Sequence, residues 1–314
     1  MDYDYNYSFI IPHKNIPDLL TRCVSSIPRR KDVQIIIIDD NSDPDVVNFE
    51  QFPFMEDPAV DIVFDKSGLG AGHARNLGLE KARGKWLIFA DADDFFLYSI
   101  RQMLDDYIES EADLIFFQSI SLDSDTYQLA RELRSGGNMY VNELLRGIEG
   151  AEDILRFCHH VPWCKIVRSQ VVEKNKIRFD EIKRCNDTHF SYLVGHYAKN
   201  IKGDKRAAYC VTDRANSTVK NPTAEKESLV NRVFTEELEF MNNNGYSKSR
   251  AYNIHYNAVI DSLLKIQKKD KDLYNEAVLR LEKLNVPRKK IENEVLKLTF
   301  RRKIGNVLAR FHRR

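Results

Sequence analysis

Two aspartates two residues apart, Asp91 and Asp93, follow the apolar run Trp86-Leu87-Ile88-Phe89-Ala90, and Asp94 stands next to them. Carboxylates crowded just past a buried strand repel one another and lose hydration, a costly arrangement unless something neutralises them. A hard divalent cation would do so. Magnesium or manganese takes one or two carboxylates and completes its shell with phosphate oxygens and water. The chemistry on offer is then neutralisation of a diphosphate leaving group. The plain alternative is an acidic, solvated loop that caps the following helix, and the pair by itself does not decide between the two.

Three more polar clusters follow apolar runs. Pro12-His13-Lys14-Asn15 comes after Tyr7–Ile11. Asp39-Asp40-Asn41-Ser42-Asp43 comes after Val33–Ile38. The turn Lys66-Ser67-Gly68-Leu69-Gly70-Ala71-Gly72 comes after Val60–Phe64 and leads to Arg75 and Asn76. Asp-Asn-Ser alone is ordinary turn chemistry. The glycine run is not a dinucleotide fingerprint, because it follows the third run and lacks the spacing of G-x-G-x-x-G after the first.

The elements that must position these clusters are legible around them. The four-isoleucine centre of Val33–Ile38 fits a strand buried on both faces of a parallel sheet. Trp86–Ala90 and Asp113–Gln118 read as a fourth and a fifth strand. Leu19, Leu20, Cys23, Val24 and Ile27 share one face of a helix over Asp18–Ile27. Ala71–Ala82 has Ala74, Leu77, Gly78 and Lys81 in helical register. Strands alternating with such helices predict an α/β fold with right-handed crossovers and a mostly parallel sheet. Ligands in such sheets bind beyond the carboxyl ends of the strands. All four clusters converge there, which favours the cation reading of Asp91 and Asp93.

The second half offers one more constellation. Asn186-Asp187 precedes Phe190, Leu193, Val194 and Tyr197, an i, i+3, i+4, i+7 apolar face. Asp187 therefore belongs to the first turn of a buried helix, where a carboxylate suits capping and the macrodipole. The dipole should lower its pKa. Cys158, His159, His160, Cys164 and Cys185 match no common zinc spacing, and no G-x-S-x-G elbow marks a hydrolase.

Taken in order, the blocks SFIIPHKN, IIIIDDNSD, GLGAGHARNLGLEKARGKWLIFADADD, PWCKIVRSQVVEKNKIRFDE and CNDTHF resemble the inverting family-2 glycosyltransferases with a GT-A fold, of the bacterial surface-polysaccharide type. The resemblance covers about residues 7–215, and the long third block is its most specific part. It implies transfer of a sugar from a nucleotide-sugar, UDP-linked by preference, to a hydroxyl of a saccharide acceptor, lipid-linked by family analogy. Pro12, His13 and Asn15 would line the base and ribose pocket, with Gly68 on the same nucleotide side. Asp40 would accept the imide N–H of uracil, with Asp39 beside it. Arg75 would lie near the nucleotide or its phosphates. Asp93 would bind Mn2+ or Mg2+ directly, with Asp91 on the ribose or the metal's waters, and Asp187 would be the catalytic base. Trp163 would be the acceptor platform, since an aromatic face packs on sugar C–H groups, with Lys165 beside it; a core tryptophan is the equal alternative. Departures from the family pattern are His13 for Tyr or Phe, His73 for a small residue (read here as capping its helix), Cys164 for Asn and Asn186 for an acidic residue. The rival from another class is a non-catalytic nucleotide-sugar binder or assembly subunit with a helical interaction module.

Composition bounds these readings. The 314 residues carry 48 Lys and Arg against 47 Asp and Glu, a net charge of +1. That is no footprint of a nucleic-acid binder. Five scattered cysteines suggest a reducing compartment. No apolar run approaches the ~18 residues of a membrane span, and the amino terminus is not a signal peptide. The expected divisions are 1–119 for the nucleotide half, 120–220 for the acceptor half, and 221–314 for a helical region. Helical patterns run over Glu225–Met241, Arg250–Ile266, Asp270–Leu284 and Pro287–Phe311. Charge is uneven: 288–314 holds 10 Lys and Arg against 2 Asp and Glu, or +8, while 1–287 holds 38 against 45, or −7. Phe300, Ile304, Val307, Leu308 and Phe311 form an apolar stripe among Arg301, Arg302, Lys303, Arg310, Arg313 and Arg314. Such a helix either lies in an anionic membrane interface or packs on the body with a solvated basic face. The expected location is cytoplasmic, with a peripheral hold on the inner face of the cell membrane.

Overall fold

The computed structural model describes residues 3–130, 137–214 and 223–311, with side chains as far as Arg302. It separates into two compact units, Met1–Ser217 and Thr218–Arg314, each described here by itself. In the first, the chain runs β1 (Tyr5–His13), α1 (Pro17–Ser26), β2 (Val33–Asp40), β3 (Val60–Asp65), α2 (Ala71–Lys81), β4 (Gly84–Phe89), β5 (Phe95–Phe96), α3 (Ile100–Tyr107) and β6 (Leu114–Asp123). It continues through α4 (Gly137–Leu145), α5 (Ala151–Cys158), β7 (Lys165–Arg168), α6 (Ser169–Lys174), α7 (Thr188–Tyr197) and β8 (Ile201–Asp213).

The eight strands form one mixed sheet in the order β3-β2-β1-β4-β7-β6-β8-β5. β3, β2, β1 and β4 are mutually parallel. β7 runs against both β4 and β6. β8 is parallel to β6, and β5 is antiparallel to β8. The expected α/β class with a mostly parallel sheet is what forms. Side chains that alternate across the pleat feed two cores. Phe9, Ile11, Ile35, Ile37, Trp86 and Ile88 enter one; Ile10, Ile36, Ile38, Leu87 and Phe89 enter the other. Every residue of β2 is buried for this reason. The register His13↔Asp39 sets the carboxyl ends of β1 and β2 side by side.

The second unit has α8 (Ala224–Asn243), α9 (Arg250–Gln267), α10 (Lys271–Lys283) and α11 (Arg288–Phe311). Thr223, Ser249 and Asp270 each accept a backbone N–H of the first turn that follows, which is why α8, α9 and α10 begin where they do. Leu238, Leu263, Ala277, Leu281, Ile291 and Val295 belong to its own core. No described helix is long and apolar enough to cross a membrane. In α11, Phe300 is exposed and Arg302 pairs with Asp261 of α9. The rest of the terminal stripe, Ile304, Val307, Leu308 and Phe311 with Lys303, Arg310, Arg313 and Arg314, lies outside the described side chains.

Candidate active site

The ends of β1 and β2 are tied together by a buried carboxylate. Asp39 accepts from Nδ1 of His13 at 2.9 Å, from the Ser42 hydroxyl at 2.5 Å and from the Ser42 backbone N–H at 3.1 Å. Burial pushes its carboxyl up, but these donors outweigh it and hold it below the usual range. The other ring nitrogen of His13 accepts the Ile16 N–H at 3.2 Å, so the proton sits on Nδ1. His13 is 2% exposed. This corrects the expectation that it lines the base and ribose pocket: one ring nitrogen donates to Asp39 and the other accepts the Ile16 N–H, so neither is left for a ligand. Pro12 is half-buried between the strand ends, and Asn15, at φ 57°, is exposed and accepts the Asp43 N–H.

Asp40 faces the glycine-rich turn. Its Oδ1 accepts the Gly70 N–H at 3.0 Å, and Lys14 Nζ stands 3.4 Å from its Oδ2. Gly70 adopts φ 96°, a conformation that a side chain would strain. Gly68 lies against Asn41 and the Lys14 ammonium.

The acidic loop after β4 gathers three carboxylates: Asp91, Asp93 and Asp94 each bring an oxygen within 4.8 Å of the others. Burial and the charge of Asp91 push Asp93 up, against Arg214. Burial, with Asp91 and Asp93, pushes Asp94 well up. Three clustered carboxylates, of which Asp93 and Asp94 are pushed up by burial and by neighbouring charge, fit a hard divalent cation. Distant residues brace the loop. The Thr212 N–H donates to Asp94 at 2.7 Å, the Thr212 hydroxyl donates to the Asp93 carbonyl at 2.6 Å, and Arg22 donates to the same carbonyl. The Tyr209 hydroxyl accepts the Asp91 N–H at 2.9 Å. Arg22, Tyr209, Thr212 and Arg214 carry no local motif, so spacing alone gave no signal for them.

Arg75 joins this loop to the second half of the site. It is 5% exposed, donates to Asp91 Oδ1 at 2.6 Å and to Asn186 Oδ1 at 3.1 Å, and lies over the Phe179 ring. The close approach needs Gly72: a Cβ there would stand 2.1 Å from the Asp180 carbonyl oxygen and 3.1 Å from Asn186 Cβ. Asp187 sits at the start of α7, but its side chain makes no capping bond. Burial pushes its carboxyl above the usual range, Arg75 opposes this, and Asp91 adds to it. The expected dipole-lowered carboxylate is thus corrected, because lost hydration outweighs the helix terminus. Arg75, bonded to both Asp91 and Asn186, ties the acidic loop to the Asn186-Asp187 corner.

Residues 8–175 match the sequence profile of glycosyl transferase family 2, more than half of the chain. The chain belongs to that family. A curated relative, the uncharacterised glycosyltransferase EpsJ of Bacillus subtilis, is 24% identical over 245 residues, 76% of this chain and 70% of that protein. The chain spans less of two other curated relatives, 59% and 51% of their lengths. Among solved structures, S. aureus TarS 1-349 in complex with UDP-GlcNAc is 18% identical, with a TM-score of 0.59 over 95% of this chain and 92% of that one. The mannosyltransferase PcManGT from Pyrobaculum calidifontis, in complex with GDP-Man and Mn2+, is 12% identical, with a TM-score of 0.52 over 95% and 90%. The fold is accordingly GT-A, with C-terminal helices added.

Two acceptor-side expectations are corrected. Trp163 is 9% exposed and part of the core; its ring stacks on Tyr209, with centroids 5.5 Å apart and planes 14° apart, so a sugar meets no free indole face. Lys165 is 2% exposed, and its ammonium donates to the His159 carbonyl over the Phe116 ring. A buried ammonium needs such an acceptor. His73 does not cap α2 either. Its ring pairs with Glu181 at 3.0 Å and approaches Asp65 at 3.7 Å, and the bond from Glu181 raises its pKa.

Proposed function

We propose that the protein transfers a sugar from a UDP-linked donor to a hydroxyl of a saccharide acceptor, with inversion at the anomeric carbon. The observation that carries this is the Arg75 bridge: one buried guanidinium bonds both the acidic loop and the residue beside Asp187. Donor phosphates and acceptor hydroxyl then meet within one site. Asp40 and the glycine-rich turn take the base and ribose, braced by Asp39, His13 and Asn15. Asp93, with Asp91 and Asp94 close by, holds Mn2+ or Mg2+, which when bound offsets charge on the departing phosphate. Asp187 accepts the proton of the attacking hydroxyl, and its raised pKa makes it a stronger base than an ordinary aspartate. Attack from the face opposite the leaving group through an oxocarbenium-like transition state gives a β-linked product from an α-linked donor. UDP-sugar and Mn2+ complexes of proteins with this fold support the donor class and the cation.

The acceptor is read as a lipid-linked saccharide at the cytoplasmic face of a membrane, with the basic segment 288–314 on anionic headgroups. The charge contrast along the chain supports it. The deciding experiment is a screen of nucleotide-sugars by ligand-induced melting shift and by UDP release, with Asp93→Ala titrated by calorimetry beside the wild type. UDP binding that is manganese-dependent in the wild type and lost in Asp93→Ala is expected. Equal UDP affinity in both proteins, with and without manganese, sinks the metal assignment. Binding of nucleotide-sugars without turnover on any acceptor favours the non-catalytic binder.

A further inference from the structure

The Asp93 carboxylate already has a partner. Arg214 lies one residue beyond β8, and its Nη2 stands 2.6 Å from Asp93 Oδ2. Arg75 makes the matching contact with Asp91, also at 2.6 Å. Each carboxylate of the D-x-D pair therefore holds one guanidinium.

The two arginines differ in exposure. The Arg75 side chain is 6% exposed and fixed by Asn186 and the Phe179 ring as well as by Asp91. The Arg214 side chain is 32% exposed. The loop backbone does not depend on Arg214, since Arg22 and the Thr212 hydroxyl hold the Asp93 carbonyl from other elements. Arg214 can thus leave Asp93 without unbuilding the loop. A divalent cation bonded to the same carboxylate competes with it for one negative charge. A guanidinium released beside a diphosphate meets the oxygen geometry that its planar fork fits best.

We propose that Arg214 is an exchangeable counter-ion, which neutralises Asp93 while no divalent cation is bound there and grips the donor's diphosphate when one is. The inference rests on the donor and metal reading above. It gives Arg214 two opposed effects: against the cation alone, and in favour of the nucleotide once the cation is in place.

The test is calorimetry of the full chain with Mn2+ alone and then with UDP at saturating Mn2+, for the wild type, Arg214→Gln and Arg214→Lys. Arg214→Gln should bind Mn2+ about fivefold more tightly, the worth of a partly exposed ion pair. It should bind UDP about tenfold more weakly, as expected for a lost charge-assisted bond. Arg214→Lys should fall between the two in both titrations. A purely structural role would weaken both affinities together and lower the melting temperature. Unchanged or weaker Mn2+ binding by either variant, at the wild-type melting temperature, overturns the exchange, and so does unchanged UDP affinity. No Mn2+ binding by the wild type overturns the exchange and the metal assignment together. Normal Mn2+ binding with an indifferent Arg214 overturns the exchange alone.

Discussion

Asp187, Asp93 and Asp94 are carboxylates that burial keeps above their ordinary range. For Asp187 the consequence is kinetic. A base must be ionised to accept a proton, so kcat/KM should fall as pH drops toward its raised pKa, at a higher pH than an ordinary aspartate near ~3.9 would allow. A profile flat down to pH ~4 excludes Asp187 as the base. Asp187→Asn should lower turnover about 10²–10⁴-fold while calorimetric UDP affinity stays put. For Asp93 and Asp94 the consequence is thermodynamic. Their folded pKa values are raised, so the unfolded chain releases these protons at lower pH than the folded one. Their contribution to stability is therefore lost as pH rises through the raised values and regained as pH falls. A bound divalent cation offsets that loss. At one fixed Mn2+ concentration the stabilisation, read as a melting shift, should be larger at pH 7 than at pH 5, about 2.7 kcal/mol at pH 7 if that concentration is a hundredfold over the Kd there. An equal gain at both values argues against these carboxylates as the cation site.

At the scale of elements, the site depends on how closely α2 approaches the 180–187 segment. Gly72→Ala would put a methyl 2.1 Å from the Asp180 carbonyl oxygen, and that backbone must shift. The expected result is a loss of about 1–3 kcal/mol of stability, with turnover reduced more than UDP affinity because the displaced segment carries Asp187. Thermal melts and steady-state kinetics on one variant check both; a variant with wild-type turnover shows that the approach is not needed. The long strands and helices were legible because their apolar period persisted: β2, α1, α2 and the four C-terminal helices stand within a few residues of where the pattern put them. β5, with two residues, and β7, with four, are too short to show a period. β8 opens with Ile201-Lys202-Gly203-Asp204-Lys205-Arg206, a charged stretch that masks a strand. It is a strand because β6 lies alongside to pair with it.

At the scale of the whole molecule, the contrast between an acidic 1–287 and a basic 288–314 calls for a test of the tail. Deletion after Lys297 retains Ile291 and Val295, which are buried in the helical unit, and removes most of the terminal cations. It should reduce binding to vesicles containing anionic lipid, most at low salt, since each cation near the surface contributes about 1 kcal/mol and the attraction fades within a Debye length. Unchanged vesicle binding at low salt would assign the tail to packing on the body.

The sequence by itself determined the α/β class, the alternation that fills two cores, the acidic and glycine-rich ends of the strands, and the family resemblance. These are local properties, written in the spacing of neighbouring side chains. What only the tertiary structure decided is which charges meet. His13 turned inward to Asp39, Trp163 and Lys165 were taken by the core, and Arg75 joined Asp91 to Asn186. Thr212 reached Asp93 from 119 residues away, with Arg214 beside it. Such pairings depend on strand order and crossover, which bring distant segments to one sheet edge, and no periodicity along the chain encodes them.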